Sequence, residues 1–250
     1  MGELLVLWDV DHTLLNAGGL SSHLYGMVFA ELFGRSLPRV APMAGRTDRA
    51  IIVETLTMAG VPDPRGHVPA FIEALTRQAP AYGERVRARG RVLPGVREAL
   101  AALAALAVPG GGAGSGSGGG GRVRQSVLTG NIRPLAEVKL ATLGLGDPLD
   151  LAIGAYGDMD EVRAELVRVA RSQASAVAGP GAAGFGGPAT VLVGDTPLDV
   201  AAALATGARA VAVATGSYTE AELVASGAHV VLPDLRDTER VRAAILGVAS

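Results

Sequence analysis

The sequence predicts an α/β fold: a parallel sheet with helices on both faces, and an all-helical block inserted after the first strand. Two observations carry this. Short aliphatic runs alternate with helical patterns from residue 94 onward, which is the arrangement of parallel βαβ units. Three of those runs end abruptly in polar residues, at Asp9, Thr129 and Asp195, and open α/β sheets bind ligands beyond the carboxyl ends of their strands. No strand pattern lies between residues 16 and 92. The expected division is therefore a core of residues 1–15 and 94–250 and a helical insertion of residues 16–93.

The first element is Leu4-Leu5-Val6-Leu7-Trp8, a short run of large side chains that reads as a buried parallel strand. It opens into Asp9-Val10-Asp11-His12-Thr13. Two carboxylates one residue apart repel each other unless a cation or a shared proton intervenes. The insertion then reads as three helices: one capped by Ser21-Ser22 and running to about Phe33, one from Asp48 to Ala59, and one from Pro69 to about Arg89. Leu93-Pro94-Gly95 forms the return to the core, followed by a helix from Val96 to Ala107.

Residues 110–121 are glycine and serine apart from Ala113. A phosphate cradle would end in Gly-Lys-Ser/Thr and lead out of a strand, whereas this segment leads into one. It reads as a linker, on the edge opposite Asp9. Strands are then expected at Ser126–Leu128, Leu149–Ile153, Thr190–Val193, Ala210–Ala214 and Val230–Leu232, with helices between them. Gly179–Gly187 reads as a second linker.

Composition bounds the function. The net charge is −2, which gives no basis for nucleic acid or an anionic membrane as partner. There is no cysteine, so neither disulfides nor thiolate chemistry contribute. Hydrophobic residues make up 49% of 250, enough for a sizeable core, yet no apolar run approaches the roughly 18 residues of a membrane span. The N-terminus lacks a basic stretch before its apolar run, so a cytoplasmic setting is expected. Lys139 is the sole lysine among 22 basic residues, which reflects coding bias toward arginine.

The polar strand ends fit one chemistry. Asp9, Asp195 and Asp199 offer carboxylate oxygens to a hard cation, above all Mg²⁺, which commonly takes one or two carboxylates plus a phosphate. Thr129 and the Gly130 N–H, at a helix start, suit phosphate oxygens. Asp199 also has a purely local reading, as the acid that caps its helix. His12, His23, His67 and His229 show no metal-ligand spacing.

Asp9-Val10-Asp11-His12-Thr13, Thr129-Gly130-Asn131 and Gly194-Asp195-Thr196-Pro197-Leu198-Asp199, in this order, resemble three motifs of the haloacid dehalogenase superfamily. The resemblance covers nearly the whole chain, with the helical insertion in the place of that family's helical cap. It implies a Rossmann-like core and Mg²⁺-dependent hydrolysis of a small phosphate monoester. Asp9 would be the nucleophile and Asp11 the acid and base. Thr129, Gly130 and a basic residue would hold the phosphate. The metal would take Asp9, the Asp11 carbonyl, Asp195 and Asp199. The expected partner is a small phosphorylated metabolite, met by a monomer or a homodimer.

The basic residue is open between two positions. Lys139 lies about eight residues into a helix, roughly 12 Å from the catalytic edge at 1.5 Å per residue. Arg163 opens the helix that precedes the strand to Asp195, where this family usually carries its third motif, and is the favoured choice. Gly45-Arg46-Thr47-Asp48 resembles the cap loop of phosphoglycolate-phosphatase-like members. Arg46 would then pair a second anionic group of the substrate. The local alternative is a helix cap at Thr47 or Asp48 beside a solvated Arg46. A sugar-phosphate mutase would carry the same core residues, and a silent relative would serve as a binding module.

Overall fold

The computed structural model describes residues 3–106, 123–179 and 184–247. The expected linker at 110–121 lies outside them, as do residues 180–183 of the second one. Five parallel strands form the sheet: β1 (Leu4–Trp8), β4 (Val123–Val127), β5 (Thr190–Gly194), β6 (Arg209–Val213) and β7 (Val230–Leu232), in the order β4-β1-β5-β6-β7. β1 is an interior strand, and both its faces are apolar. Leu5 and Leu7 point to one side and Val6 and Trp8 to the other, and all four are fully buried. Each such burial contributes roughly 1.5–3 kcal/mol relative to exposure.

The alternation sorts the helices into two layers. α4 (Val96–Ala104), α5 (Arg133–Thr142) and α9 (Thr238–Leu246) pack on the Val6/Trp8 face. α6 (Arg163–Ala178), α7 (Pro197–Ala205) and α8 (Glu220–Ala225) pack on the Leu5/Leu7 face. α6 presents Leu166, Val167, Ala170 and Ala174 to the sheet, a three-to-four-residue spacing that places one apolar stripe inward.

Between β1 and α4 lie α1 (Leu20–Phe33), α2 (Asp48–Met58) and α3 (Val68–Arg89). The chain leaves and re-enters the core through a short antiparallel pair, β2 (Leu15–Asn16) and β3 (Arg91–Val92), with Leu15 opposite Val92. These helices share an apolar cluster with the Val6/Trp8 face, through residues such as Phe29, Ile52 and Phe71. Among the described residues, no helix is long and apolar enough to cross a membrane.

Two local expectations are corrected. Leu149–Ile153 does not extend the sheet: Leu151–Ile153 is a single tight helical turn. Asp150 causes it, because its carboxylate accepts from the Ala152 N–H at 3.1 Å and closes the chain on itself. The segment meets β4 at two points: the Asp150 N–H donates to the Gln125 carbonyl at 2.8 Å, and Ala155 donates to the Val127 carbonyl at 2.9 Å and accepts from Thr129 at 3.0 Å. Nor do Ser21 and Ser22 cap α1. Gly19 starts that helix in a left-handed conformation, without a side-chain cap.

Gly95, at the return to the core, has φ +80°, and a Cβ there would meet the Leu235 carbonyl carbon at 2.2 Å. Glycine alone fits both constraints. Gly95→Ala is expected to destabilise the chain by more than about 1 kcal/mol, read as a lower urea midpoint. An unchanged midpoint would show that the α4 entry yields to the added methyl.

Candidate active site

The ends of β1, β4 and β5 converge on one edge of the sheet. The Asp9 N–H donates to the Val193 carbonyl at 2.8 Å, so the strand ladder continues one residue beyond β1 and fixes Asp9 at the edge. Val10 turns into the core, which brings Asp11 back to the open side. His12 then adopts φ +62°, and its N–H donates to the Leu15 carbonyl at 2.7 Å, folding the chain sharply away. Thr13 is buried and donates to Asp195 Oδ1 at 3.3 Å, tying the first motif to the end of β5.

Carboxylate oxygens of Asp9, Asp195 and Asp199 lie within 4.8 Å of one another, and all three residues are buried. Arg163 sits among them. Its Nη2 donates to Asp9 Oδ1 at 2.7 Å, and its Nε donates to Asp199 Oδ1 at 2.9 Å. The other oxygen of Asp199 accepts from the Thr196 hydroxyl at 2.6 Å and N–H at 3.1 Å. The local reading of Asp199 as a helix cap is therefore correct, and the same side chain also belongs to the acidic cluster. Gly216 closes the far wall: a Cβ there would lie 1.8 Å from Asp195 Oδ2.

Three carboxylates facing one guanidinium leave two negative charges in a buried place. Burial pushes the Asp9 carboxyl up to about 7; Arg163 opposes this, while Asp199 and Asp11 add to it. Burial, with Asp9 and Asp199 nearby, pushes Asp195 up to about 9. Both shifts favour the neutral acids, and a bound cation would oppose them. A hard divalent cation fits this all-oxygen set. The Asp11 carboxylate is outside the set: it turns to Lys139, leaving only its backbone carbonyl for the ligand role expected of it.

Lys139 requires a correction. Its Nζ donates to Asp11 at 2.7 and 2.9 Å and to Asn131 Oδ1 at 2.7 Å, so it does return to the edge. The helical rise alone overstates the gap, because side chains on a helix tilt toward its N-terminus, and lysine is long. Both basic candidates reach the site. Burial disfavours the Lys139 charge, but Asp11 outweighs it and holds the ammonium well above its ordinary pKa. Burial raises Asp11 in turn, and the charge and hydrogen bonds of Lys139 outweigh that, leaving the carboxyl below its ordinary value.

Thr129 is buried, and its hydroxyl accepts from Asn131 Nδ2 at 2.7 Å. Gly130 lies under Arg46: a Cβ there would meet the Arg46 carbonyl at 1.9 Å. Thr47 caps α2, accepting from the Ala50 N–H at 3.3 Å. The next two backbone N–H groups leave the helix, Asp48 donating to the Gly130 carbonyl at 2.7 Å and Arg49 to Gly157 at 3.1 Å. The buried Asp48 carboxylate accepts from the Tyr25 hydroxyl at 2.5 Å and from the Ile132 N–H at 2.8 Å. Arg46 pairs with Glu54 at 2.5 Å. A cavity of about 260 Å³ lies between the helical block and the strand ends; its walls include Asp9, Asp11, Arg46, Gly130, Arg163 and Asp195.

Asp48, Asn131 and Gly216 carry contacts that the sequence reading did not assign. The order Asp-x-Asp, Thr-Gly-Asn and Gly-Asp could have pointed to Asn131 as the third residue of its motif. Asp48 and Gly216 have no signal of their own, since their roles exist only once separate loops meet.

A parallel sheet with two aspartates beyond β1, a buried arginine and an acidic pair beyond the neighbouring β5 is an arrangement of the haloacid dehalogenase-like fold. Comparison with known proteins agrees. Residues 167–238 match the family model described as HAD-hydrolase-like. Among solved structures, a protein from Clostridium acetobutylicum assigned as a phosphatase by prediction superposes with TM-score 0.65 at 15% identity, over 99% of this chain and 100% of that one. A protein from Bacteroides vulgatus, provisionally named a β-phosphoglucomutase, gives 0.60 at 16% identity over 98% and 90%. One from Lactobacillus plantarum, provisionally named a phosphoglycolate phosphatase, gives 0.59 at 13% identity over 96% and 100%. No curated protein matches the chain in sequence. The chain thus has a haloacid dehalogenase-like fold, and residues 167–238 are similar to that family's model.

Burial raises the Asp48 carboxyl to about 6 from 3.8, against the opposing hydrogen bonds of Tyr25 and Ile132. A folded-state value above the unfolded one means that the protonated form stabilises the fold. That contribution is complete below about pH 4 and is lost as pH rises through about 6. Wild type should therefore lose Tm relative to Asp48→Asn between about pH 4 and pH 7. A gap that does not vary with pH would place Asp48 at its ordinary value.

Proposed function

We propose that the chain is a phosphatase for small phosphate monoesters, working through an aspartyl-phosphate on Asp9. The observation that carries this reading is the convergence at one edge of Asp9, Asp11, the Thr129-Gly130 turn, Arg163 and an acidic cluster around a small cavity. Mg²⁺ held by Asp9, Asp195 and Asp199 would screen the nucleophile from the phosphate charge. A carboxylate with a raised pKa is a poor nucleophile while protonated, and the cation would keep it ionised. In this reading Asp9 attacks phosphorus, and Asp11 protonates the leaving oxygen and later takes a proton from water. Thr129, the Gly130 N–H and Arg163 hold the equatorial oxygens, where charge gathers in the transition state.

Residues 16–93 serve as a cap over this edge. Their β2–β3 pair is the hinge, and the cavity beneath them excludes water when closed. Arg46 is the only cation that this block contributes to the cavity wall, and it is the group placed to read a second anion of the substrate.

Hydrolysis of an aryl phosphate should require a divalent metal and vanish in Asp9→Asn. Full activity after exhaustive chelation would remove the metal from the reading, and activity in Asp9→Asn would remove the nucleophile. Isomerisation of a hexose phosphate without phosphate release would make the chain a mutase.

Arg46→Ala should lower kcat/KM for a carboxylated substrate such as phosphoglycolate by about one to two powers of ten, the loss of one charge-assisted hydrogen bond. The rate on a neutral aryl phosphate should barely move. Equal losses on both would assign Arg46 to holding the helical block together with Glu54.

A further inference from the structure

The two buried cations at the edge are not equivalent. Arg163 lines the cavity, and its Nη1 stands beside Gly130, 3.4 Å from where a Cβ would be. Its bonds to Asp9 and Asp199 use Nε and Nη2, which leaves the Nη1 edge for a phosphate oxygen. Lys139 is different. It is fully buried and absent from the cavity wall. An ammonium has three donor hydrogens. Three acceptors take them: Asp11 Oδ1 at 2.9 Å, Asp11 Oδ2 at 2.7 Å and Asn131 Oδ1 at 2.7 Å. The Tyr82 ring of α3 covers the remaining side, with its centroid 5.8 Å from Nζ.

Asp11 stands between this ammonium and the cavity, with 30% of its side chain exposed against none for Lys139. Asn131 braces it from the other flank, donating from Nδ2 to Asp11 Oδ2 at 2.7 Å. We infer that Lys139 is a positioning residue for Asp11, holding the carboxyl that exchanges protons with the leaving group and with water, and that Arg163 alone supplies the cation to the phosphate. The inference rests on the phosphatase reading and adds a division of labour to it. Lys139 reaches the reaction only through Asp11.

Leaving groups separate this role from the alternatives. A nitrophenolate departs without protonation, whereas an alkoxide needs an acid. Lys139→Met should therefore lower kcat on glycerol 2-phosphate by about a hundredfold or more, and burst formation of nitrophenolate from p-nitrophenyl phosphate by no more than about threefold. An equal loss on the two substrates would overturn the inference, since a phosphate ligand or a fold defect acts on both. No loss on either would overturn it as well. Should the single variant fail to fold, Asp11→Asn is compared with Asp11→Asn/Lys139→Met, and the double variant leaves no charge buried alone. Equal nitrophenolate bursts support the inference, and a tenfold slower burst in the double variant overturns it. A wild-type protein inactive on both esters would instead dismiss the phosphatase reading.

Discussion

Everything at the catalytic edge depends on keeping like charges together in a buried place. Asp9, Asp195 and Asp199 approach to within 4.8 Å of one another with little access to water. Mutual repulsion and lost solvation both oppose that arrangement. Arg163 offsets part of it, bridging Asp9 and Asp199 from the first turn of α6. The rest of the fold supplies what such crowding needs. The sheet fixes Asp9 and Asp195 on adjacent strands. The helix cap at Thr196 fixes Asp199. Gly216 admits the Asp195 carboxylate where any side chain would expel it.

A second ionic centre, a few ångströms away, follows a different rule. Lys139 and Asp11 compensate each other, and Asn131 satisfies what remains of both. Charge balance is complete there without a metal, whereas it is incomplete at the acidic cluster. The edge is therefore divided into a neutral pair and a site with residual negative charge. Placing these side by side lets one carboxylate keep a fixed orientation while its neighbour binds a cation.

Much of this was legible in the sequence, because periodicity and strand-end chemistry are local. The aliphatic run Leu4–Trp8 ending at Asp9, the parallel sheet and the helical block between Asn16 and Val92 all follow from residues within one window. The failures were of three kinds. At Leu149–Ile153 the apolar pattern suited a strand, but Asp150 offered the backbone a shorter partner. At Lys139 distance along the helix axis was a poor guide, since the reach of the side chain decides what meets what. Asp48 was invisible for a deeper reason. Its partners Tyr25 and Ile132 lie 23 residues before and 84 after it, and no local pattern encodes that meeting.

Part of the seam between the helical block and the core is made of backbone, beside the apolar cluster they share. Asp48 and Arg49 dock through their N–H groups onto the carbonyls of Gly130 and Gly157, and the lack of a Cβ at both glycines lets the chains approach. These two bonds use no side chain. Ser21, Ser22 and Met43 line the cavity and take no part in these two bonds. Asp48 and Gly130 belong both to this seam and to the cavity wall, so a change at either reaches both.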